Sequence, residues 1–127
     1  MVLLATLRLR KSSTARQLAG DAAEDMALAY LQQRALTLLQ HNFLCKGGEI
    51  DLVMQTVAGT LVFVEVRRRA ASSFGGAAVS ITRSKQKRLI VAAKIYLQRY
   101  RHPPACRFDV VAIDGAVITW LQNAIDS

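Results

Sequence analysis

Apolar and polar positions alternate along this chain with two different periods. From Asp21 to about Ala35 the apolar side chains fall at Ala23, Met26, Ala27, Tyr30 and Leu31, the spacing of one helical face. Leu36 to Leu44 is a short apolar run that suits a strand. Glu49 to Gln55 and Leu61 to Arg68 are β-branched, apolar segments joined by Thr56-Val57-Ala58-Gly59-Thr60, whose glycine is free to take a positive φ, so the two predict an antiparallel hairpin. Ser72 to Val79, with Gly75-Gly76, reads as a loop. From Thr82 to Tyr100 the period returns to that of a helix, which buries Leu89, Ala92, Ala93, Tyr96 and Leu97 and turns Lys85, Lys87, Arg88 and Lys94 outward. Cys106 to Ile113 and Val117 to Leu121 flank Asp114-Gly115, a strong hairpin signal. The expected order is α-β-β-β-α-β-β.

A strand set interrupted by a helix predicts an α/β domain with a central mixed sheet flanked by helices. At 127 residues and 52% hydrophobic content, one such domain has a real core and a second is not expected. No apolar run approaches the roughly 18 residues of a membrane span. The opening MVLLATLRLRK carries its charges after the apolar stretch, the reverse of a signal peptide. Residues 1–16 therefore read as a basic, mobile segment, residues 17–127 as the domain, and the location as cytoplasmic. Cys45 and Cys106 share no metal-ligand spacing with His41 or His102 and are expected to be buried, reduced thiols.

Charge narrows the function. Lys and Arg number 17 against 9 Asp and Glu, a net charge of +8. Between Glu65 and Asp109 there is no acidic residue, while that stretch holds Arg67, Arg68, Arg69, Arg83, Lys85, Lys87, Arg88, Lys94, Arg99, Arg101 and Arg107. Such a surface attracts polyanions by releasing their counterions, so nucleic acid is the first partner to consider and anionic membrane the second.

Against this background, two acids stand out. If the loop pairs Gln55 with Leu61, Asp51 falls opposite Glu65, with Cβ atoms about 4.5–5.5 Å apart. Two carboxylates so close repel unless a proton or cation lies between them. Mg²⁺ or Mn²⁺ takes a couple of carboxylate oxygens, a carbonyl and waters, which Asp51, Glu65 and the carbonyl of Val66 can supply. The same register sets Glu49 opposite Arg67, and an ordinary cross-strand salt bridge is the competing reading there. Glu24 also has two readings. Asp21-Ala-Ala-Glu24 has the spacing of a capping box, yet on a helical wheel Glu24 lies at the edge of the apolar stripe, where it can look onto the sheet.

Gly20 to Leu31, Asn42, Gly48-Glu49-Ile50-Asp51-Leu52, Val62 to Arg69, Phe74-Gly75, Lys85, Ala92-Ala93, Tyr96-Leu97 and Arg107 to Val111 together closely resemble the YraN family of bacterial proteins. That family is similar in turn to the restriction-endonuclease-like PD-(D/E)XK superfamily, which includes Holliday junction resolvases. The resemblance implies Asp51 and Glu65 as metal ligands, Glu24 as the helix-borne acid that completes the site, and Lys85 on a helix that approaches phosphate. This chain departs from the pattern at the E-x-K lysine, which here is Arg67. Arginine, with a pKa above roughly 12, cannot act as a base, although it can hold a phosphate and stabilise developing charge.

The expectation is a divalent-metal-dependent DNA endonuclease acting on branched or single-stranded structures. Asp51 and Glu65 hold the metal, Arg67 is the electrostatic partner, and Arg68, Arg69, Arg83, Lys85, Lys87 and Arg88 contact nucleic acid. A resolvase-like cut asks for a symmetric homodimer. Two alternatives stay open: a nucleic-acid-binding protein that has lost turnover, and a basic scaffold that docks on a ribonucleoprotein or an acidic protein.

Overall fold

The computed structural model describes residues 15–69 and 81–125. Residues 1–14 and the Ser72–Val79 loop lie outside the described residues, as do the side chains of residues 15–19 and of Arg69. Seven elements follow in the expected order: α1 (Ala15–Gln32), β1 (Thr37–Cys45), β2 (Gly48–Gln55), β3 (Leu61–Arg69), α2 (Arg83–Leu97), β4 (Cys106–Asp114) and β5 (Val117–Leu121). The strands form one mixed sheet in the order β1-β2-β3-β4-β5, antiparallel except where β3 and β4 run parallel across the α2 crossover.

The helices divide the core between the two sheet faces. Ala23, Ala27 and Leu31 of α1 pack on Leu52, Met54, Val62, Val64, Val111 and Ile113. On the other face, Leu89, Ala92, Ala93 and Tyr96 of α2 pack on Ile50, Val53, Leu61, Phe63, Phe108 and Val110. Strands covered on both faces read as continuous apolar runs, which is why Leu61 to Val64 has no alternation in hydropathy. Met26 falls outside the packed stripe and is exposed.

Helix α1 begins at Ala15, not Asp21, so Asp21 sits inside the helix and cannot cap it. The capping-box reading of Asp21 and Glu24 is thereby overturned. The helix stops at Gln32, and Ala35 adopts a left-handed φ of 68° as the chain turns toward β1. Helix α2 starts where its cap dictates: the Thr82 side chain accepts a hydrogen bond from the Lys85 N–H at 3.1 Å.

The β2–β3 register is the one the loop length predicts, with Gln55 opposite Leu61 and Leu52 opposite Val64. Gly59 takes a φ of +96° in the turn, which a side chain would resist. Alternation does not continue undisturbed along β2, however. Ile50 packs on the α2 face and Leu52 on the α1 face although they are two residues apart. The break falls at Asp51, beside Asn42 of β1, whose φ is 52°; asparagine is one of the few residues that tolerates this region. Both cysteines are free, Cys45 half-buried and Cys106 exposed, so neither is the fully buried thiol expected.

Candidate active site

The paired ladder of β2 and β3 ends at Leu52 and Val64, and the next residues on each strand are Asp51 and Glu65. Beyond that point a cleft opens, lined by Glu24 from α1, Glu49 and Asp51 from β2, Glu65, Val66 and Arg68 from β3, and Lys85 and Arg88 from α2. Both helices contribute from opposite faces because the cleft lies where the sheet stops separating them.

Asp51 reaches across the end of the ladder and accepts a hydrogen bond from the Val66 N–H at 2.8 Å. The Glu65 carboxyl group is its close neighbour across the end of the ladder, near enough for each acid to affect the other's pKa. Burial pushes Glu65 up to about 7, the neighbouring Asp51 charge adds to the rise, and Lys85 opposes it. The Lys85 ammonium stands 3.6 Å from Glu65 Oε2. Burial likewise raises Asp51 above the usual carboxylate range, against the Val66 hydrogen bond. Glu24 is pushed up to about 6, first by burial and then by the Asp51 charge, while a hydrogen bond from His41 pulls it down. His41 Nε2 lies 2.8 Å from Glu24 Oε1. Three acids from α1, β2 and β3 thus share one cleft, each held above its ordinary value because desolvation and mutual repulsion disfavour the charged form.

The expected residues divide into three groups. Glu24, Asp51, Glu65, Val66, Arg68, Lys85 and Arg88 are brought together. Arg67 does not line the cleft, although its charge lowers the Glu65 pKa. Arg83 and Lys87 are exposed on α2 away from the cleft, and the Arg69 side chain is outside the described residues. Glu49, expected opposite Arg67, forms an ion pair with Arg88 of α2 at 3.4 Å. The β2–β3 ladder ends at Leu52, short of Glu49, so register against β3 does not decide its partner.

Two contributors had no clear sequence signal. His41 sits in an apolar run, and only the packing of α1 over β1 brings it to Glu24. Gly48 was legible as part of a motif but not for its task. A Cβ there would lie 2.2 Å from the Arg88 carbonyl oxygen and 2.9 Å from the Ala92 N. Glycine therefore lets α2 lie directly on β2, and that approach carries Lys85 and Arg88 to the cleft.

Among the described residues no three His, Cys, Asp or Glu side chains are already arranged around a common point as a metal cage. The donor set is nonetheless of the kind a hard divalent cation takes. Two carboxyl groups are close neighbours, a third acid is close by and held by a histidine, and the rim is open to water. Magnesium uses one or two carboxylates and retains several waters, so a complete protein cage is not required.

Residues 23–113 match the family described as "Uncharacterised protein family UPF0102". The chain is 63% identical over 119 residues to a UPF0102 protein of Herminiimonas arsenicoxydans, covering 94% of this chain and 95% of that one. It is 65% identical over 114 residues to a UPF0102 protein of Janthinobacterium sp. (strain Marseille), covering 90% and 92%. A UPF0102 protein of Ralstonia pickettii is 60% identical over 109 residues. With the GEID and FVEV blocks now seen to build the two acidic arms of the cleft, these matches place the chain in UPF0102, the YraN family.

Proposed function

We propose that the cleft is the site of a divalent-metal-dependent endonuclease that hydrolyses phosphodiester bonds in DNA, with branched or single-stranded structures as its substrates. The observation that carries this reading is the convergence of Glu24, Asp51 and Glu65, all with raised pKa values, on a cleft whose other wall is cationic. Leaving three acids mutually repelling is unfavourable unless something positive belongs between them.

Asp51 and Glu65 would hold Mg²⁺ or Mn²⁺, with the Val66 carbonyl as a further donor. When bound, the ion supplies positive charge against the anion that builds up as water attacks phosphorus. The chain's own residues supply the rest. The Val66 N–H fixes Asp51 in one orientation. Glu24, hydrogen-bonded by His41, would accept a proton from the attacking water. Arg68, Arg88 and Lys85 line the approach to the carboxylates and can clamp phosphate oxygens. Water adds to phosphorus as the bond to the leaving deoxyribose oxygen breaks, and that oxygen takes its proton from solvent water at the open rim.

A second reading, binding without turnover, is favoured by Arg67 standing in place of a lysine and outside the cleft wall. One experiment separates the two. Purified protein is incubated with labelled four-way-junction, single-stranded and duplex DNA, first with Mg²⁺ or Mn²⁺ and then with chelator. Nicking that needs metal and disappears in Asp51→Asn supports the enzyme. Binding with a steep salt dependence and no cleavage in any metal sinks it and leaves the binder.

A further inference from the structure

Helix α2 carries two sets of cations, and only one belongs to the cleft. Lys85 and Arg88 face it and are paired with Glu65 and Glu49. Arg83, Lys87 and Lys94 are different. At 100° per residue they fall within about 40° of one another on the side away from the buried face, and all three are exposed. None has an ion pair among the described residues. The sequence offers them little relief, because no acid lies between Glu65 and Asp109 and α2 itself contains none.

This arrangement works against the helix. Arg83 and Lys87 are like charges one turn apart, which repel. Arg83 also stands in the first turn, where the helix dipole is already positive and an acid would be favourable. A row selected only for solubility could have interspersed acids without detriment. From Arg83 to Lys94 the row spans about 16 Å, the axial rise of about five nucleotides of one strand.

We propose that this outer row is a second phosphate-backbone contact, separate from the cleft, which holds the nucleic acid flanking the strand engaged there. Lys85 lies on the opposite side of the helix from this row, across a body about 10 Å thick, so one phosphate cannot bridge Lys85 and the row. The occupant follows from charge complementarity and from the linear spacing. An anionic membrane fits less well, because an interfacial helix must bury an apolar face in lipid, and the apolar face of α2 is already packed on the sheet. The proposal rests on the nucleic-acid reading of the cleft for its occupant, and not on turnover.

The test is duplex binding by the full chain in the presence of chelator, measured by fluorescence anisotropy of a labelled 30-base-pair DNA across a salt series. Arg83→Gln/Lys87→Gln/Lys94→Gln is compared with the native protein, with Arg83→Lys/Lys87→Arg/Lys94→Arg as the charge-retaining control. The glutamine variant should flatten the slope of log K against log salt by about 2 to 3, at roughly 0.9 for each phosphate no longer neutralised. Its melting temperature at low salt should be equal or higher, and the control should keep the native slope. An unchanged slope in a folded glutamine variant overturns the proposal. If Arg68→Gln alone changes the slope, the cleft reading stands and this row does not. If the row governs binding but no metal supports cleavage, the row stands and the endonuclease falls. Binding to phosphatidylserine vesicles with no binding to DNA would overturn both.

Discussion

Asp51 and Asp109 are two aspartates on neighbouring parts of one sheet, and the fold treats them in opposite ways. Asp109 is fully buried and saturated with donors. The Arg107 guanidinium Nε lies 3.1 and 3.2 Å from its two oxygens, Trp120 Nε1 donates at 2.9 Å, and the Asn123 N–H donates at 2.8 Å. These hydrogen bonds tie β4 to β5 and to the chain after it, so the acid is an architectural joint. Asp51 has one backbone donor and faces another carboxyl group. Asp109 is supplied with enough donors to neutralise it, whereas Asp51 is left short beside two other acids, which is the arrangement the proposed metal site calls for.

The largest effects should separate the two aspartates most sharply. Asp51→Asn is expected to lower metal-dependent cleavage by about 10³-fold or more, about 4 kcal/mol in barrier height, with no loss of thermal stability. A variant that unfolds would make Asp51 a second joint and erase the contrast. Asp109→Ala should do the reverse, leaving Arg107 and the indole N–H without their partner and destabilising the fold by about 3–5 kcal/mol in urea unfolding. A cost below about 1 kcal/mol would show the network to be ornamental.

Gly48→Ala probes how the cationic wall is held. Its Cβ would collide with the backbone of α2, so a loss of about 2–3 kcal/mol is expected, together with weaker DNA binding as Lys85 and Arg88 move back. Native stability with native binding would mean that α2 is free to shift.

The pH dependence of stability should carry the same signature. Glu65 rises from 4.5 to about 7 and Glu24 from 4.5 to about 6 on folding. A raised carboxyl pKa contributes stability that is fully present below about 4.5 and lost as pH climbs through the folded value. Metal-free protein should therefore lose on the order of 1–2 kcal/mol between pH 5 and pH 8. Added Mg²⁺ should recover most of it at pH 8 and little at pH 5, as read by thermal melts. A flat profile would remove the frustration that distinguishes this cleft from the Asp109 site. The smallest change expected is Arg67→Lys, which should raise cleavage by about tenfold, about 1.4 kcal/mol, if a lysine at this position can reach the reacting phosphate. Unaltered cleavage would leave that role to Lys85.

Much of this architecture was legible in advance where the information is local. The helical period placed Leu89, Ala92, Ala93 and Tyr96 in the core, and the short loop after Gln55 set the register that brings Asp51 toward Glu65. Alternation failed at Asp51 itself, because strict period-two reading has no means of anticipating the kink at Asn42. Glu24 was marked by its place on a wheel, but the same spacing suggested a cap that the longer helix ruled out.

By itself the sequence determined the order of elements, the β2–β3 register, the family and the concentration of positive charge after Glu65. Those properties depend on neighbours in the chain, on pattern or on composition. Only the tertiary structure decided that α1 and α2 would cover opposite faces, that His41 would hold Glu24, that Lys85 and not Arg67 would line the cleft, and that Asp109 would be saturated while Asp51 was not. Each of those arrangements joins residues from different elements, so it depends on how packed surfaces meet, and no period along the chain encodes that.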